Sequence, residues 1–288
     1  QAADMIFGIG GGKAVDTCKA LAYQIDKPLF TFPTVCSNCA SSTQTCIMYY
    51  PDHTMREMYY PKRCARHVFI NTAVIADSPA KYMWAGIGDA LAKEYETELV
   101  SRADIKDLKM THSPYLGIGI AKCCTQPLLK YGEKTMEQME KKEPGYELEQ
   151  VALAVIITAG LASILNADPL ERFYYNTCIA HCFYNAYTVT SKAHEHLHGE
   201  VVSYGILVQL AYDKNYDELA KLLEFYKALK LPTTMADVEL DPSEVKLLVD
   251  QAEKMVEWPY IPGVTKENFT AAILDEDKFA KEWMKANA

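Results

Sequence analysis

The sequence predicts an α/β domain over residues 1–75, followed by an almost purely helical domain over residues 76–288. Two observations predict this fold class. Strand patterns recur only in the first part, where a glycine-rich turn joins the first strand to a helix. From Ser78-Pro79 onward helical patterns follow one another to the end, and serine followed by proline is typical of a helix start.

The first strand and helix lie in residues 5–22, where an apolar run precedes a glycine-rich turn and a helical pattern. Glycines at positions 8, 10, 11 and 12 remove the side chains that would keep a ligand off the backbone. The helix N-terminus would then direct its free N–H groups at an anion. The motif G-x-G-G-G-K-x-x-D matches neither the common dinucleotide fingerprint nor a P-loop. Two interpretations therefore stay open: the turn binds phosphate, or it needs glycine only for its backbone angles.

Short apolar segments predict the remaining strands. Residues 28–33 (PLFTFP) form a second strand, and the small side chains of the loop 34–43 would let a ligand approach closely. We further expect a β-hairpin of residues 45–50 and 55–60 around the turn residues 51–54, and a strand or extended entry segment at residues 68–75.

Two segments of the helical part stand out by composition. Residues 151–165 are apolar but interrupted by small and polar residues, which makes them too short and too mixed to span a bilayer. They predict a central core helix. Residues 133–147 are charged and contain Pro144-Gly145, which predicts an exposed connection.

The overall composition restricts the partners and the compartment. The 288 residues carry a formal net charge of −9, which argues against nucleic acid or an anionic membrane and leaves small molecules or proteins. Nine cysteines at irregular spacing, with no signal peptide, are typical of free thiols in a reducing compartment. The predicted location is therefore cytoplasmic.

One carboxylate and two imidazoles are candidates for a metal site. Asp89 is predicted at the start of a helix in the segment AGIGDALA, where an acidic residue commonly complements only the helix dipole. His181 lies in an apolar segment, where a histidine is commonly a satisfied core residue, and His198 precedes a glycine. Together the three would form an open site that leaves coordination positions for substrate. His194 and His196 are predicted to be surface residues or supports of that site.

Four segments of the sequence carry a family resemblance. They are GIGGGKAVDTCKALA (8–22), FPT with the loop that follows it (32–34), INTAVIADSPAKYMWAGIGDALAKEYE (70–96), and IAHCFYN with HLHGEVVSYGILVQL (179–210). The chain resembles the metal-containing, iron-type (group III) alcohol dehydrogenases, and within them the glycerol dehydrogenase branch. Members of this family have further residues in front, which form the first strands of the nucleotide domain. The resemblance therefore implies a Rossmann-like α/β nucleotide-binding domain that is N-terminally incomplete, followed by an all-α metal-binding domain.

The resemblance also implies roles for single residues. Asp89, His181 and His198 would bind the metal, which is Zn²⁺ or alternatively Fe²⁺. The cofactor would be NAD or NADP, because the residue that reads the ribose 2′ position would lie in the segment in front. The protein would be a homo-oligomer. The cofactor-binding set comprises Gly10, Gly11 and Gly12 for the pyrophosphate, with Asp16, Thr34, Ser37, Thr43 and Tyr49 around it.

Some positions depart from the family pattern on the substrate side. Cys39 stands where typical glycerol dehydrogenases carry an aspartate, and a thiol does not accept polyol hydroxyls as a carboxylate does. In this respect the loop looks like the related hydroxycarboxylate dehydrogenases, which reduce small 2-oxo acids. Tyr184 replaces a frequent histidine, and the aromatic residues 173–175 replace small glycines, so we expect a reshaped cleft.

The resemblance predicts a metal-dependent NAD(P) oxidoreductase that interconverts a secondary alcohol and its ketone by hydride transfer. The substrate would be a polyol such as glycerol or a small 2-hydroxy acid. One alternative is a dehydroquinate-synthase-like lyase of the same superfamily, although the cluster of phosphate-binding Lys and Arg residues that it needs is not identifiable here. The other alternative is a catalytically inactive scaffold subunit.

Overall fold

The computed structural model describes residues 3–50, 55–103, 110–168 and 173–287, and its first part is an α/β unit. Its elements are β1 (Ile6–Gly10), α1 (Gly12–Gln24), β2 (Leu29–Pro33), β3 (Cys46–Tyr49), β4 (Met55–Tyr59) and β5 (His67–Val68). Strands β1, β2 and β5 form a parallel sheet in that order, and α1 connects β1 to β2. Strands β3 and β4 form the predicted antiparallel hairpin, whose turn residues 51–54 lie outside the described residues.

The second part is helical apart from one very short hairpin. Its elements are α2 (Thr72–Asp77), α3 (Ala80–Val100), α4 (His112–Lys141), α5 (Tyr146–Leu153), a π-helical segment (Ala154–Thr158), α6 (Ala159–Asn166), β6 (Ala167–Asp168), β7 (Phe173–Tyr174), α7 (Ile179–Tyr187), α8 (His198–Tyr212), α9 (Tyr216–Leu229), α10 (Val245–Ala252) and α11 (Lys266–Ala286). Helix α8 lies at the centre, packed against α3, α7 and α11, and every residue from Val201 to Ala211 is buried. A helix that meets water on no side is expected to be mostly apolar all round, and in α8 the buried polar exceptions are Ser203 and Gln209.

The predicted order of an α/β part followed by a helical part is confirmed. All strands of the parallel sheet and of the β3–β4 hairpin lie before residue 69. The predicted boundary at residue 75 lies inside helix α2, and the division into two domains stays a prediction.

The strand or extended segment predicted at residues 68–75 is short. Strand β5 ends at Val68, and only three residues separate it from α2, because Asn71 caps that helix. The side-chain oxygen of Asn71 accepts hydrogen bonds from the backbone N–H groups of Ala73 and Val74. The cap at Asn71 thus starts a helix where the β-branched residues had suggested a strand.

The exposed connection predicted for residues 133–147 is wrong over most of its length. Helix α4 continues to Lys141, and only a few residues separate it from α5. Thr135 and Met139 are buried on the inner face of α4, while the charged residues lie on the outer face. The segment is an amphipathic helix with a narrow apolar stripe.

The apolar stretch 151–165 belongs to one continuous helical run, Tyr146–Asn166, which comprises α5, the π-helical segment and α6. With 21 residues and a mean hydropathy of 2.0, this run is long and apolar enough to cross a membrane, contrary to the sequence expectation. Half of its most apolar 18-residue stretch is buried inside the protein, and core helices of soluble proteins have the same composition, so one such run is weak evidence for a membrane span. Val151, Val155 and Ile156 are fully buried, as expected of a core helix.

Candidate metal and nucleotide site

A close crossing of two helices positions the first pair of candidate ligands. Helix α3 carries Asp89 near its middle, so the predicted position at the start of a helix is wrong, and α8 begins at His198. A Cβ atom at Gly199 would lie 1.9 Å from the carbonyl oxygen of Ala85, and one at Gly88 would lie 2.6 Å from the carbonyl oxygen of Gly199. Only glycine permits this approach, which brings the carboxylate and the imidazole together.

Asp89, His181 and His198 converge in the structure. Oδ1 of Asp89 lies 3.0 Å from Nε2 of His198 and 3.4 Å from Nε2 of His181. The two imidazole centroids are 5.4 Å apart, and one potential ligand atom from each of the three residues lies within 4.8 Å of the others. A carboxylate oxygen and two imidazole nitrogens at this spacing suit a divalent ion with open coordination positions.

Charges within the site shift the pKa values of these groups. Burial would raise the pKa of Asp89, but the neighbouring His198 and His181 hold that pKa well below its usual range. Burial would also lower the pKa of His181, whereas Glu96 and Asp89 raise it to about 9. A metal ion would therefore compete with a proton for Nε2 of His181.

Glu96 holds His181 in place, and no sequence motif had predicted its role. Its fully buried carboxylate accepts a hydrogen bond from Nδ1 of His181 at 2.6 Å. It also accepts the backbone N–H groups of Cys178 and His181, both at 2.8 Å, where α7 begins. Because Nδ1 donates to a carboxylate, Nε2 keeps its lone pair for a metal. The available signal was the spacing of Glu96 from Asp89, which places both residues on one face of α3.

The glycine turn lies at the N-terminus of α1 and lines a shallow pocket. Gly10 has a φ of 142°, a backbone conformation that other residues rarely adopt. Gly11 precedes α1 without any side-chain cap, and the first turn holds no acidic residue. The first N–H groups of the helix are thus available to an anion. Gly10, Gly11 and Gly12 share the pocket with Ser37 and Asn38.

Asp16 lies behind this turn and is absent from the pocket lining, unlike the cofactor contact expected from the resemblance. Its buried carboxylate accepts a backbone N–H from strand β3 and forms a 2.7 Å ion pair with Lys19. Lys19 donates in turn to the carbonyl oxygen of Ala40 at 2.7 Å and to the hydroxyl of Thr43 at 3.5 Å. Asp16 and Thr43 therefore hold the loop after β2 against α1.

The other predicted cofactor residues lie around the turn. Thr34 donates its backbone N–H to the carbonyl oxygen of Gly10 at 3.2 Å, which ties the two loops together. Tyr49 is the last residue of β3, and its side chain lies outside the part that the structure describes. Ser37, in the pocket lining, remains the predicted contact outside the glycine turn.

The loop after β2 also contacts the helical part, on the substrate side predicted for Cys39. Ser42 in this loop donates its hydroxyl to the carbonyl oxygen of Ile156 in the π-helical segment. A Cβ atom at Gly160 would lie 1.9 Å from that hydroxyl oxygen, so glycine lets the loop approach the helix. Irregular π-helical turns are frequent at functional sites. Burial raises the pKa of the Cys39 thiol, which keeps it uncharged.

Three further residues were expected near the trio of candidate ligands, Asp89, His181 and His198, and the structure shows the surroundings of each. The ring of Tyr184 stands edge-on against that of His198, with centroids 4.2 Å apart, so it supports a ligand on the substrate side. His194 is exposed. Nδ1 of His196 lies 2.9 Å from Glu200, which keeps this ring out of the trio.

Comparison with known proteins identifies relatives. A family model described as iron-containing alcohol dehydrogenase matches residues 1–72. The chain is 31% identical to glycerol dehydrogenase from Thermotoga maritima, over 87% of this chain and 67% of that protein. It is 30% identical to hydroxycarboxylate dehydrogenase A from Escherichia coli, over 96% of this chain and 75% of that protein. The solved structure of a probable glycerol dehydrogenase from Sinorhizobium meliloti matches with a TM-score of 0.85 and 25% identity, over 97% of this chain and 78% of that one.

The fold, the site and these relatives define an alcohol dehydrogenase whose three converging side chains suit a metal ion. The chain belongs to the iron-containing alcohol dehydrogenase family, in its glycerol dehydrogenase-like branch. An oxidoreductase fits the relatives, which include glycerol dehydrogenases and a hydroxycarboxylate dehydrogenase, better than the lyase or scaffold alternatives. The homo-oligomer, the cytoplasmic location, and the expected lack of nucleic-acid and membrane partners stay predictions.

Proposed function

We propose that the chain transfers hydride between a secondary alcohol and NAD or NADP at a zinc ion bound by Asp89, His181 and His198. The convergence of these three side chains within 4.8 Å is the observation that carries the proposal. Iron(II) is the alternative ion, because one carboxylate and two imidazoles accept either metal.

The residues present fit a divalent cation. Asp89 supplies negative charge, and Nε2 of both histidines faces its carboxylate. Glu96 supports the fit, because its bond to Nδ1 of His181 selects the tautomer that a metal requires. When bound, the ion would act as a Lewis acid that eases loss of the hydroxyl proton from the alcohol.

The rest of the chain would orient the two reactants. The N–H groups after the glycine turn would hold the cofactor pyrophosphate, so that the nicotinamide ring is directed toward the trio. The loop that carries Cys39 would cover the substrate, since Ser42 attaches this loop to Ile156 and restricts access of water. The alcohol carbon would give its hydride to the nicotinamide ring and the hydroxyl its proton to solvent, which yields the ketone.

Zinc binding tests the ligand set. Protein treated with a chelator is titrated with Zn²⁺, and the bound metal is measured by mass spectrometry. We expect Asp89→Asn and His198→Ala to weaken zinc binding by about 100-fold or more, since each removes one of three ligands. His194→Ala is the matched control, because this histidine is exposed and lies outside the trio. Equal zinc affinity in all variants would contradict the assignment.

Hydride transfer tests the activity itself. The zinc-loaded and iron-loaded proteins are assayed for reduction of NAD and of NADP, with glycerol and with 2-hydroxybutanoate as the alcohol. We expect reduced cofactor to form with at least one of the four combinations of a cofactor and an alcohol. Absence of reduction in every combination, in protein that binds the metal, would contradict the proposed function.

A further inference from the structure

Lys93 is a buried cation held only by neutral groups. Just 4% of this residue is exposed. Its Nζ donates to the side-chain oxygen of Asn176 at 3.0 Å and to the backbone carbonyl oxygen of the same residue at 3.4 Å. Lysine is rarely buried without an opposite charge, because loss of hydration is costly for the charged form. Within the described ranges no carboxylate forms an ion pair with Lys93.

The other buried lysine of the described chain has the usual arrangement. Lys19 forms a 2.7 Å ion pair with Asp16 and donates to backbone carbonyl oxygens. Near Lys93, the obvious candidate for a similar role would be Glu96, one turn further along α3. The carboxylate of Glu96 is instead bound by the ring and backbone of His181. The positive charge of Lys93 is therefore left for an anion from outside the chain.

Lys93 lies on the face of α3 that carries the candidate metal site. Asp89, Lys93 and Glu96 follow one another at helical spacing, so that their side chains share one face. Two of these residues affect the thiol of Cys39. Burial has the largest effect and raises the pKa of the thiol, while the charge of Lys93 lowers that pKa and the charge of Asp89 raises it. Lys93 therefore lies on the same face of α3 as the candidate ligand Asp89 and close enough to the substrate loop to affect the Cys39 thiol.

We infer that Lys93 binds the carboxylate of a small 2-hydroxy acid or 2-oxo acid, an assignment that rests on the proposed hydride transfer. In such a substrate the carboxylate is attached to the carbon that bears the reacting oxygen. A cation one helical turn from a metal ligand matches that arrangement. A polyol carries no charge and leaves the ammonium without a counter-ion. The neutral thiol of Cys39 is compatible with such a substrate, because a carboxylate at that position would repel an anion.

Two substrates that differ only in the carboxylate measure how much that group contributes to recognition. The metal-loaded protein is assayed with NAD or NADP for oxidation of 2-hydroxybutanoate and of 1,2-butanediol, which has a hydroxymethyl group in place of the carboxylate. We expect Lys93→Met to lower the ratio of the two kcat/KM values by about 30-fold, mainly through the KM for 2-hydroxybutanoate. Lys93→Arg keeps the charge and should retain most of the ratio. Lys122→Met, on the exposed face of α4, is the control and should match the unmodified protein.

Binding measured without turnover separates this inference from the proposed function. Calorimetric titration of the metal-loaded protein with 2-oxobutanoate should show binding that Lys93→Met weakens by about 30-fold, whereas Lys122→Met leaves it unchanged. If no alcohol is oxidised but this pattern appears, the activity fails and the anion site stands. The inference is overturned if folded Lys93→Met, judged by circular dichroism, keeps the ratio and the binding. It is also overturned if the unmodified protein prefers 1,2-butanediol, a result that does not depend on any variant folding.

Discussion

Glu257 gives the protein a stability that decreases as the pH rises toward neutrality. The residue is 1% exposed, and Oε1 of its carboxyl accepts hydrogen bonds from Thr177 at 3.1 Å and Asn185 at 3.0 Å. The other oxygen, Oε2, has no partner among the described residues. Burial raises the pKa of Glu257 from its usual 4.5 to about 7, with His181 opposing and Glu96 adding to that effect.

The sign and size of the effect follow from linkage. A group whose pKa is higher in the folded state stabilises the protein fully below its unfolded pKa, and this contribution is lost as the pH rises through the folded pKa. The interval from 4.5 to about 7 corresponds to about 3 kcal/mol, at 1.36 kcal/mol for each pKa unit. Glu257→Gln reproduces the neutral acid, since the amide keeps an acceptor and places a donor at the other position.

Urea unfolding of the unmodified protein and of Glu257→Gln, measured across the range from about pH 5 to about pH 8.5, checks this expectation. The free energies of unfolding should agree near the acid end, and the variant should be more stable by up to about 3 kcal/mol near the alkaline end. Glu253→Gln is the matched control, because Glu253 is half-exposed and pairs with Lys266 at 2.7 Å. Curves for Glu257→Gln and the unmodified protein that stay parallel over this range would refute the reasoning.

Two further changes test the supports of the candidate metal site. Glu96→Gln should weaken zinc affinity by about 10- to 100-fold in a chelator-competition titration. Glu94→Gln is the control, because Glu94 lies on the same helix but is only partly buried, and it should leave the zinc affinity unchanged. Equal zinc affinities of the two variants would contradict the positioning role of Glu96. Gly199→Ala should destabilise the protein by about 3 kcal/mol in thermal or urea unfolding and reduce zinc binding, because its Cβ would lie 1.9 Å from the carbonyl oxygen of Ala85. Gly119→Ala, where an added Cβ meets no atom within 4 Å, should instead stabilise helix α4 by about 0.5–1 kcal/mol, and the same result for both glycines would contradict the crossing argument.

The order of elements was predictable because its signals are local. The glycine turn, the hairpin and the start of α3 each depend on a few neighbouring residues, and the structure places them as the sequence predicts. The prediction of an exposed connection at residues 133–147 was wrong for the opposite reason. Its helix is stabilised by burial of Thr135 and Met139 against distant parts of the chain, and tertiary contacts of this kind are not visible in composition.

The candidate ligands were predictable from residue type and motif, whereas their neighbours were not. Asp89, His181 and His198 have chemistry that suggests a metal site wherever they converge. Glu96 and Lys93 look like ordinary solvent-facing charges of a helix when the sequence is taken alone. Their roles depend on the packing of α7 and of the segment before it against α3, which buries both side chains.

The charges of the site together favour an anionic substrate. Asp89 and Glu96 contribute two negative charges, which a divalent ion would balance, while the nearby Glu257 is neutral below its pKa of about 7. Lys93 then adds one positive charge that no described carboxylate pairs with, and Cys39 is a neutral thiol. A carboxylate at position 39 would cancel the excess and suit an uncharged polyol, whereas a thiol leaves the positive charge of Lys93 unbalanced in a buried environment. In such a low-dielectric site an unbalanced charge is costly, so a monoanion that neutralises it is favoured over a neutral alcohol of the same shape.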